Sequence, residues 1–484
     1  MFIETVVSML SGYVFWFILS NITTPEVIGI SSTIVSISTI FITVAIIGIP
    51  TGIQRFLGKN FSEQKLEESK MFIKSSLFFI VIGIVASSCL FLLGSDWFIK
   101  TFKIDFNLLL VAVVLLGTSA IATLFRSVII ASLKTKKLVS IMILSTGTKI
   151  TLGIILSMIG AGALGVTISF AAFPILSSII MTIIIAKIFK SHKEKSEISF
   201  KSSSQSVLTA SIATWIPSVI YTVGLHLGTI VVFGFQGASQ AGVYFIAFSI
   251  VTAISAIMSV LLTIAYPVLS AMTDGRKRFA WRITKISLII TLPFSSSIIF
   301  YSKEIMQLFG QNYIEGSSML EIMLLSILPT GIMTCVNTLA YTYGNYKQVL
   351  AIGLASNVPR TLLYFLLIPD YGAVGAATSY TLGAVVGLVI SIIIAKKIRM
   401  NIYWKDLGIL LLIPVGIAFV QSYFNIHYVV AILITLVISY ILFLRLQIIT
   451  RMDLQDSLRV LPPNLANPLL KLVNALGKKL NSSY

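Results

Sequence analysis

Residues 187–205, KIFKSHKEKSEISFKSSSQ, form the most polar run in the first 440 residues and lie almost at the middle of the hydrophobic part of the chain. On either side lies a block of roughly 190 residues that divides into six apolar segments. Each segment is long enough to cross ~30 Å of hydrocarbon as a helix. The polar run is therefore read as a connection between two related halves, residues 1–186 and residues 206–396. The first half has segments near 2–20, 27–53, 72–94, 106–131, 138–160 and 164–187. The second has them near 206–233, 241–270, 284–302, 317–343, 347–368 and 373–395. An extra pair near 406–424 and 427–446 falls within residues 397–448, and a tail of residues 449–484 follows. The expected fold is an all-α polytopic membrane protein of about 14 transmembrane helices: two pseudo-symmetric six-helix lobes plus two C-terminal helices.

Composition agrees. The 484 residues are 57% hydrophobic and 11% charged, with a mean hydropathy of +0.99, well above what a soluble core requires. The net charge of +18 sits mainly in the loops, the pattern of membrane orientation and not of nucleic-acid binding. The first segment, from about Phe2 to Leu19, has neither a basic leader nor a small-residue cleavage site, so it reads as a retained helix. Cys89 and Cys335 each sit in an apolar run and are expected as lone buried thiols; no metal site and no cofactor are expected.

Orientation follows from lysine and arginine. With the N-terminus cytoplasmic, the inner loops hold Arg55 through Lys74, then Lys134, Lys136 and Lys137, the central run, Arg276 through Lys285, Lys347, and Lys396 through Lys405. The outer loops hold only Lys100, Lys103 and Lys303. Both termini are thus expected in the cytoplasm of a multi-pass cell-membrane protein. Past Pro462 and Pro463, the tail places Leu465, Leu469, Leu472, Leu476 and Leu480 at helical spacing beside lysines, which predicts an interfacial helix on anionic lipid.

The halves repeat each other in motif order. KITLGIILSMIGAGALGVTIS begins at Lys149, and RTLLYFLLIPDYGAVGAATS begins at Arg360; in each a base precedes a pair of glycines, Gly162 and Gly165 or Gly372 and Gly375. Gly29 is followed 21 residues later by Pro50, and Gly242 is followed 25 residues later by Pro267. Repeats of even helix number keep the same orientation, so they are related by an axis along the membrane normal with a site between them.

PEVIG (25–29), IIGIPTGIQRFLG (46–58), LFGQNY (308–313) and LLIPDYGAVGAA (366–377), in this order and spacing, resemble the polysaccharide-export flippases of the multidrug/oligosaccharidyl-lipid/polysaccharide (MOP) superfamily over about residues 1–400. The resemblance implies two six-helix bundles facing each other in a V around a cavity that opens to alternate sides. It also implies a cargo of polyprenyl-linked sugar moved to the outer leaflet.

The residues themselves point to an anionic cargo. Ionisable groups within spans are costly and usually face a water-filled path or each other. Lys149 and Arg360 lie about eleven and thirteen residues into their helices, which at ~1.5 Å per residue is near the bilayer middle. Arg126 and Arg55 lie nearer the inner face. Ammonium and guanidinium groups form charge-assisted bonds with phosphate oxygens, so these four are the candidate contacts for a phosphate or pyrophosphate linker. Asn357, Asn337 and Tyr341 are the candidate contacts for sugar hydroxyls. Local pairing of Lys149 and Arg360, or contact with backbone carbonyls, is the alternative arrangement. There is no P-loop, paired carboxylate cluster or Ser/His/Asp arrangement, so no enzymatic activity is expected.

The expected function is flipping of a lipid-linked oligosaccharide or polysaccharide precursor by alternating access, with membrane lipid and glycan-assembly enzymes as partners. A cation-coupled multidrug exporter of the same superfamily is the alternative; it should expose buried carboxylates, of which Glu4 is the candidate in the first half. A non-transporting scaffold for glycan enzymes is a second alternative. The charge asymmetry makes a direct prediction: in otherwise cysteine-free protein, Ser196→Cys is shielded from an external thiol reagent and Ser239→Cys reacts. The reverse labelling would invert the orientation.

Overall fold

A computed structural model of the chain describes residues 2–102, 104–189 and 198–449, which are largely helical with no strand among them. The first half comprises α1 (Phe2–Ile22), α2 (Pro25–Ala45), α3 (Ile49–Ser62), α4 (Leu66–Leu93), α5 (Ser95–Phe102), α6 (Phe106–Ala131), α7 (Thr135–Met158) and α8 (Gly162–Phe189). There follow α9 (Phe200–Ala271), α10 (Arg276–Phe300), α11 (Ser302–Gln307), a 3-10 turn (Gln311–Gly316), α12 (Ser317–Leu324), α13 (Ile327–Thr342), α14 (Tyr346–Lys397), α15 (Trp404–Tyr423) and α16 (Tyr428–Arg445). Residues 190–197 of the central polar run and the expected tail helix lie outside the described residues, as does the side chain of Glu4.

Among the described residues ten helices are long and apolar enough to cross a membrane, or eleven if the pair Gln311–Leu324 and Ile327–Thr342, bent by 44°, is one span. The sequence count of fourteen differs because it includes α1 and divides both α9 and α14. Each of these two helices runs through a break at a glycine, Gly237 (φ 84°) and Gly372 (φ 58°), in the backbone region that residues with a Cβ avoid. Each therefore folds as two limbs. The segment expected over 27–53 is likewise two helices: the chain turns at Ile47 (φ 49°) and Gly48 (φ 69°), and Pro50 occupies the first turn of α3, where its missing N–H costs nothing. α2 starts sharply because Thr24 caps it, accepting from the Val27 N–H, and Pro25 takes the first helical position.

The helices run alternately up and down. The turns after α3, α6, α9, α13 and α14, rich in lysine and arginine, gather at one end, here called the basic pole. Contacts across elements agree with this: the Arg276 guanidinium lies 5.5 Å from the Tyr343 ring, and Trp281 meets Tyr403 at 5.8 Å. At the opposite pole, Asn21 donates to the Leu308 carbonyl at 3.0 Å and Gln240 to Glu315 at 3.2 Å. α1, α2, α4, α6, α7 and α8 pack on one another; α15 and α16 pack on α10. The α2–α3 run lies along α9, with the Trp215 indole donating to the Thr43 carbonyl at 3.2 Å.

The polarity is inverted relative to a soluble protein. α4 presents Phe78, Val81, Ile82, Val85 and Leu93 outward, a lipid-facing stripe, while α2 buries Ser31, Ser32, Thr33, Ser36 and Ser38. Small hydroxyl residues allow helices to approach closely where lipid supplies no hydrophobic drive between them. Cys335 is buried, but Cys89, expected to be buried, is exposed on the lipid-facing side of α4 because its neighbours in the run face the same way.

The closest approach is at the opposite pole. A Cβ on Gly29 would lie 1.8 Å from the Ala238 carbonyl oxygen, and one on Gly242 would lie 2.0 Å from the Pro25 carbonyl oxygen. The glycines that correspond in the sequence repeat therefore meet each other, backbone against backbone. Gly29→Ala should destabilise the protein by about 1–3 kcal/mol through overpacking, read as a lower melting temperature in detergent. Gly12→Ala, where a Cβ meets nothing within 4 Å, should change stability by less than about 0.5 kcal/mol.

Candidate functional site: a central cavity around Arg360

Beneath the glycine crossing lies a cavity of about 710 Å³ walled by α1, both limbs of α9, α13 and both limbs of α14. Its wall is divided in character. Tyr13, Trp16 and Phe245 line the part nearest the opposite pole, while Ser255, Ser259, Thr330 and Thr334 line the part nearer the basic pole. The Thr334 hydroxyl donates to the Thr330 carbonyl at 2.7 Å in its own helix, which leaves the oxygen free to accept.

Arg360 is 4% exposed and sits on this wall, on the first limb of α14. Its Nη1 donates to Asn357 Oδ1 at 3.3 Å, and its guanidinium carbon lies 4.3 Å from the Tyr380 ring centroid on the second limb. Asn357 is held in turn, donating to the Gly353 carbonyl at 2.9 Å and the Ser356 hydroxyl at 3.0 Å. The Arg360 Nε has no partner, and among the described residues no carboxylate pairs with this cation. The limbs come this close because a Cβ on Gly383 would lie 2.7 Å from the Arg360 Cβ, and one on Gly387 2.7 Å from the Ser356 Cβ. Glycines four apart give the second limb a flat face against which the first can rest.

Asn337 and Tyr341 on α13 line the same cavity, and Asn337 Oδ1 is buried without a partner. Asn357, Arg360, Asn337 and Tyr341 are therefore brought together. Lys149, Arg126 and Arg55 are not in the lining. Arg55 is exposed on α3 and Arg126 lies half-buried on α6. Lys149 is 4% exposed, and its ammonium donates to the Ser11 carbonyl at 3.4 Å and hydroxyl at 3.3 Å. It also lies 4.7 Å from the Phe15 ring, 5.1 Å from Phe170 and 5.4 Å from Phe173. Trp16, which stands 5.8 Å from Phe170, separates this aromatic box from the cavity.

Sequence reasoning missed Tyr380, Tyr221 and Trp16, all on the cavity wall. The signal for Tyr380 was present: it lies one turn before Gly383, in the small-residue pattern that seats Arg360. The other two carry no mark that distinguishes them from packing aromatics.

The sequence profile of a family described as "Polysaccharide biosynthesis protein" matches residues 1–273, more than half of the chain. No curated protein matches by sequence. The fold is similar to that of "Lipid II flippase MurJ, inward closed conformation", at 17% identity and TM-score 0.67, covering 92% of this chain and 99% of that one. It is also similar to an inward-facing multidrug resistance MATE family transporter of the MOP superfamily, at 15% identity and TM-score 0.62, covering 81% of this chain and 94% of that one. A MATE in complex with MaD3S matches at 16% identity and TM-score 0.56, covering 82% of this chain and 94% of that one. At these identities the likeness is one of fold.

The Arg360 and Tyr380 contact should be energetically real in a wall with so few charged partners. A double-mutant cycle of Arg360→Gln and Tyr380→Leu, read by unfolding in detergent, should give a coupling of about 0.5–2 kcal/mol. Additive effects would mean that the ring does not hold the guanidinium.

Proposed function

The chain belongs to the polysaccharide biosynthesis protein family, and we propose that it is a membrane transporter of the MOP superfamily that flips a lipid-linked oligosaccharide or polysaccharide precursor from the inner to the outer leaflet by alternating access. One observation carries the reading: Arg360 stands on the wall of the cavity with an unpartnered Nε and no carboxylate paired to it among the described residues. A guanidinium so placed favours a phosphate or pyrophosphate linker, which accepts a forked pair of hydrogen bonds. Asn357, Asn337 and Tyr341 offer partners for sugar hydroxyls. The cation-coupled multidrug reading keeps the same fold, but among the described residues no aspartate or glutamate lines this cavity to bind a cation.

In this proposal the isoprenoid tail stays in the bilayer while the headgroup enters between α1 and the second limb of α9. Gly12 on α1 and Ser255 and Ser259 on α9 line the cavity, and small residues permit both close approach and separation. The moving bodies would be residues 1–186 and 206–396, rocking about the α2–α9 contact. Lys149, Arg126 and Arg55 would meet the cargo only after such a movement. For Lys149 the step is release of α1 from the ammonium that ties Ser11 to α7.

Flipping of a fluorescent polyprenyl-pyrophosphate glycan in proteoliposomes tests the reading. A charged hydrogen bond contributes about 1.5–3 kcal/mol, so Arg360→Ala should weaken cargo binding roughly ten- to a hundredfold at unchanged abundance. Arg360→Lys should retain part of the activity, because charge survives and the fork does not. Wild-type flipping by Arg360→Ala would refute the assignment.

A further inference from the structure

The basic pole holds a second cavity, separate from the first, of about 290 Å³. It lies where the turns after α9, α13 and α14 meet, and its wall carries Arg276, Lys277, Arg278 and Arg399. The first three occupy the opening turn of α10, whose N-cap, Gly275, supplies no side-chain hydrogen bond. Cations there oppose the positive end of the helix dipole, and the free N–H groups of the turn add further donors. The arrangement is electrostatically unfavourable unless an anion sits among them.

The remaining wall supplies one carboxylate against four bases. Asp274, the carboxylate on it, accepts the Gly275 N–H at 2.7 Å. Arg276 is turned back onto the Met272 and Ser270 carbonyls. Lys277, Arg278 and Arg399 have no ion-pair partner among the described residues. An independent sign comes from Trp281. This residue is 5% exposed, lines the cavity, and has an indole N–H with no hydrogen-bond partner. Indole nitrogen can only donate, and a buried donor left unmade is costly, so the Trp281 N–H, like the three bases, asks for an acceptor.

The level of the cavity indicates where the acceptor comes from. Tyr343 and Tyr403 line it, and Trp404, 56% exposed, stands beside it. Exposed tyrosine and tryptophan at a helix end mark the boundary between hydrocarbon and water, where lipid phosphates lie. We propose that this cavity is a binding site for the phosphate group of an anionic lipid, held by Lys277, Arg278, Arg399 and the Trp281 indole N–H. The bound headgroup joins the turns that begin α10 and α15 and end α13. A basic pocket between helices at the headgroup level has the chemistry for this. The site is distinct from the Arg360 cavity and does not depend on what cargo that cavity takes.

The test uses the full chain in a neutral detergent, titrated with phosphatidylglycerol, phosphatidylcholine or inorganic phosphate, with bound lipid read by native mass spectrometry and stability by melting temperature. Phosphatidylglycerol should bind and raise the melting temperature, and phosphatidylcholine should do neither. Lys277→Gln, Arg278→Gln and Arg399→Asn alter exposed or half-exposed side chains; asparagine suits the left-handed backbone at residue 399 (φ 54°). Together they should weaken phosphatidylglycerol binding about a hundredfold, roughly fivefold per base. Lys134→Gln, Lys136→Gln and Lys137→Gln remove the same charge at the same pole and should leave binding unchanged. Trp281→Phe should weaken it several-fold while keeping the ring. Protection by inorganic phosphate that the triple variant at α10 and α15 abolishes would assign the site to the phosphate group alone, from free anion as well as lipid. Equal binding of the two phospholipids, or equal loss in the two triple variants, would overturn the proposal.

Discussion

The rest of the molecule depends on a contact made without side chains. Where α2 crosses the second limb of α9, Gly29 and Gly242 leave room for the backbone of one helix to touch the carbonyls of the other. This brings the helices on either side of the central polar run to van der Waals distance at the pole opposite the basic loops. Below the crossing α2 stays against the first limb of α9, where Trp215 donates to the Thr43 carbonyl, and the cavity is enclosed by α1, α9, α13 and α14 without α2. Trp16 against Phe245 at 4.9 Å, and Asn21 on the Leu308 carbonyl, extend the closure to α1.

Within this frame the sequence repeat is broken where chemistry matters. Lys149 and Arg360 occupy matching places, ahead of matching glycine pairs, and both are almost fully buried. Their surroundings differ. Lys149 is enclosed by Phe15, Phe170 and Phe173 and tied to α1 through Ser11. Arg360 has one aromatic face, at Tyr380, and otherwise adjoins the cavity. A compact ammonium can be satisfied by ring faces and a carbonyl, whereas a planar guanidinium has five donors. Part of its fork remains available to a ligand.

The fold was legible because in a bilayer every segment must satisfy its own backbone, so apolar length alone locates helices. The glycine pair at 29 and 242 was legible as a repeat, but its role was not, because contact between two helices is not written in either one. The same limit explains the site. Asn357, Asn337 and Tyr341 could be chosen because polar groups within spans are few and tend to face inward. Lys149 could not be separated from Arg360 by position; what separates them is the identity of residues on other helices, Phe15 and Phe170 in one case, Gly383 and Tyr380 in the other. The break after Ala45 was hidden for a local reason: hydropathy averages across a turn, and only the backbone angles at Ile47 and Gly48 reveal it.

The contacts that close the opposite pole are of a kind that can be reversed. They consist of glycine packing, aromatic edges and a few hydrogen bonds, one of them from Gln240 to the Glu315 carboxylate, and the ion pairs at Lys59, Lys65 and Lys70 lie instead within the α3–α4 turn region. A neutral hydrogen bond contributes only about 0.5–1.5 kcal/mol net, so the closed arrangement is held by many small terms and not by one strong bond. A ligand shifts such an equilibrium only by the difference in its affinity for the two states. One charged contact to Arg360 that exists in a single state would supply about 1.5–3 kcal/mol, a ten- to hundredfold change in population. On the proposed function, a lone unneutralised guanidinium would therefore be enough to couple occupancy of the cavity to its closure, provided that the crossing above it stays as weak as its glycines make it.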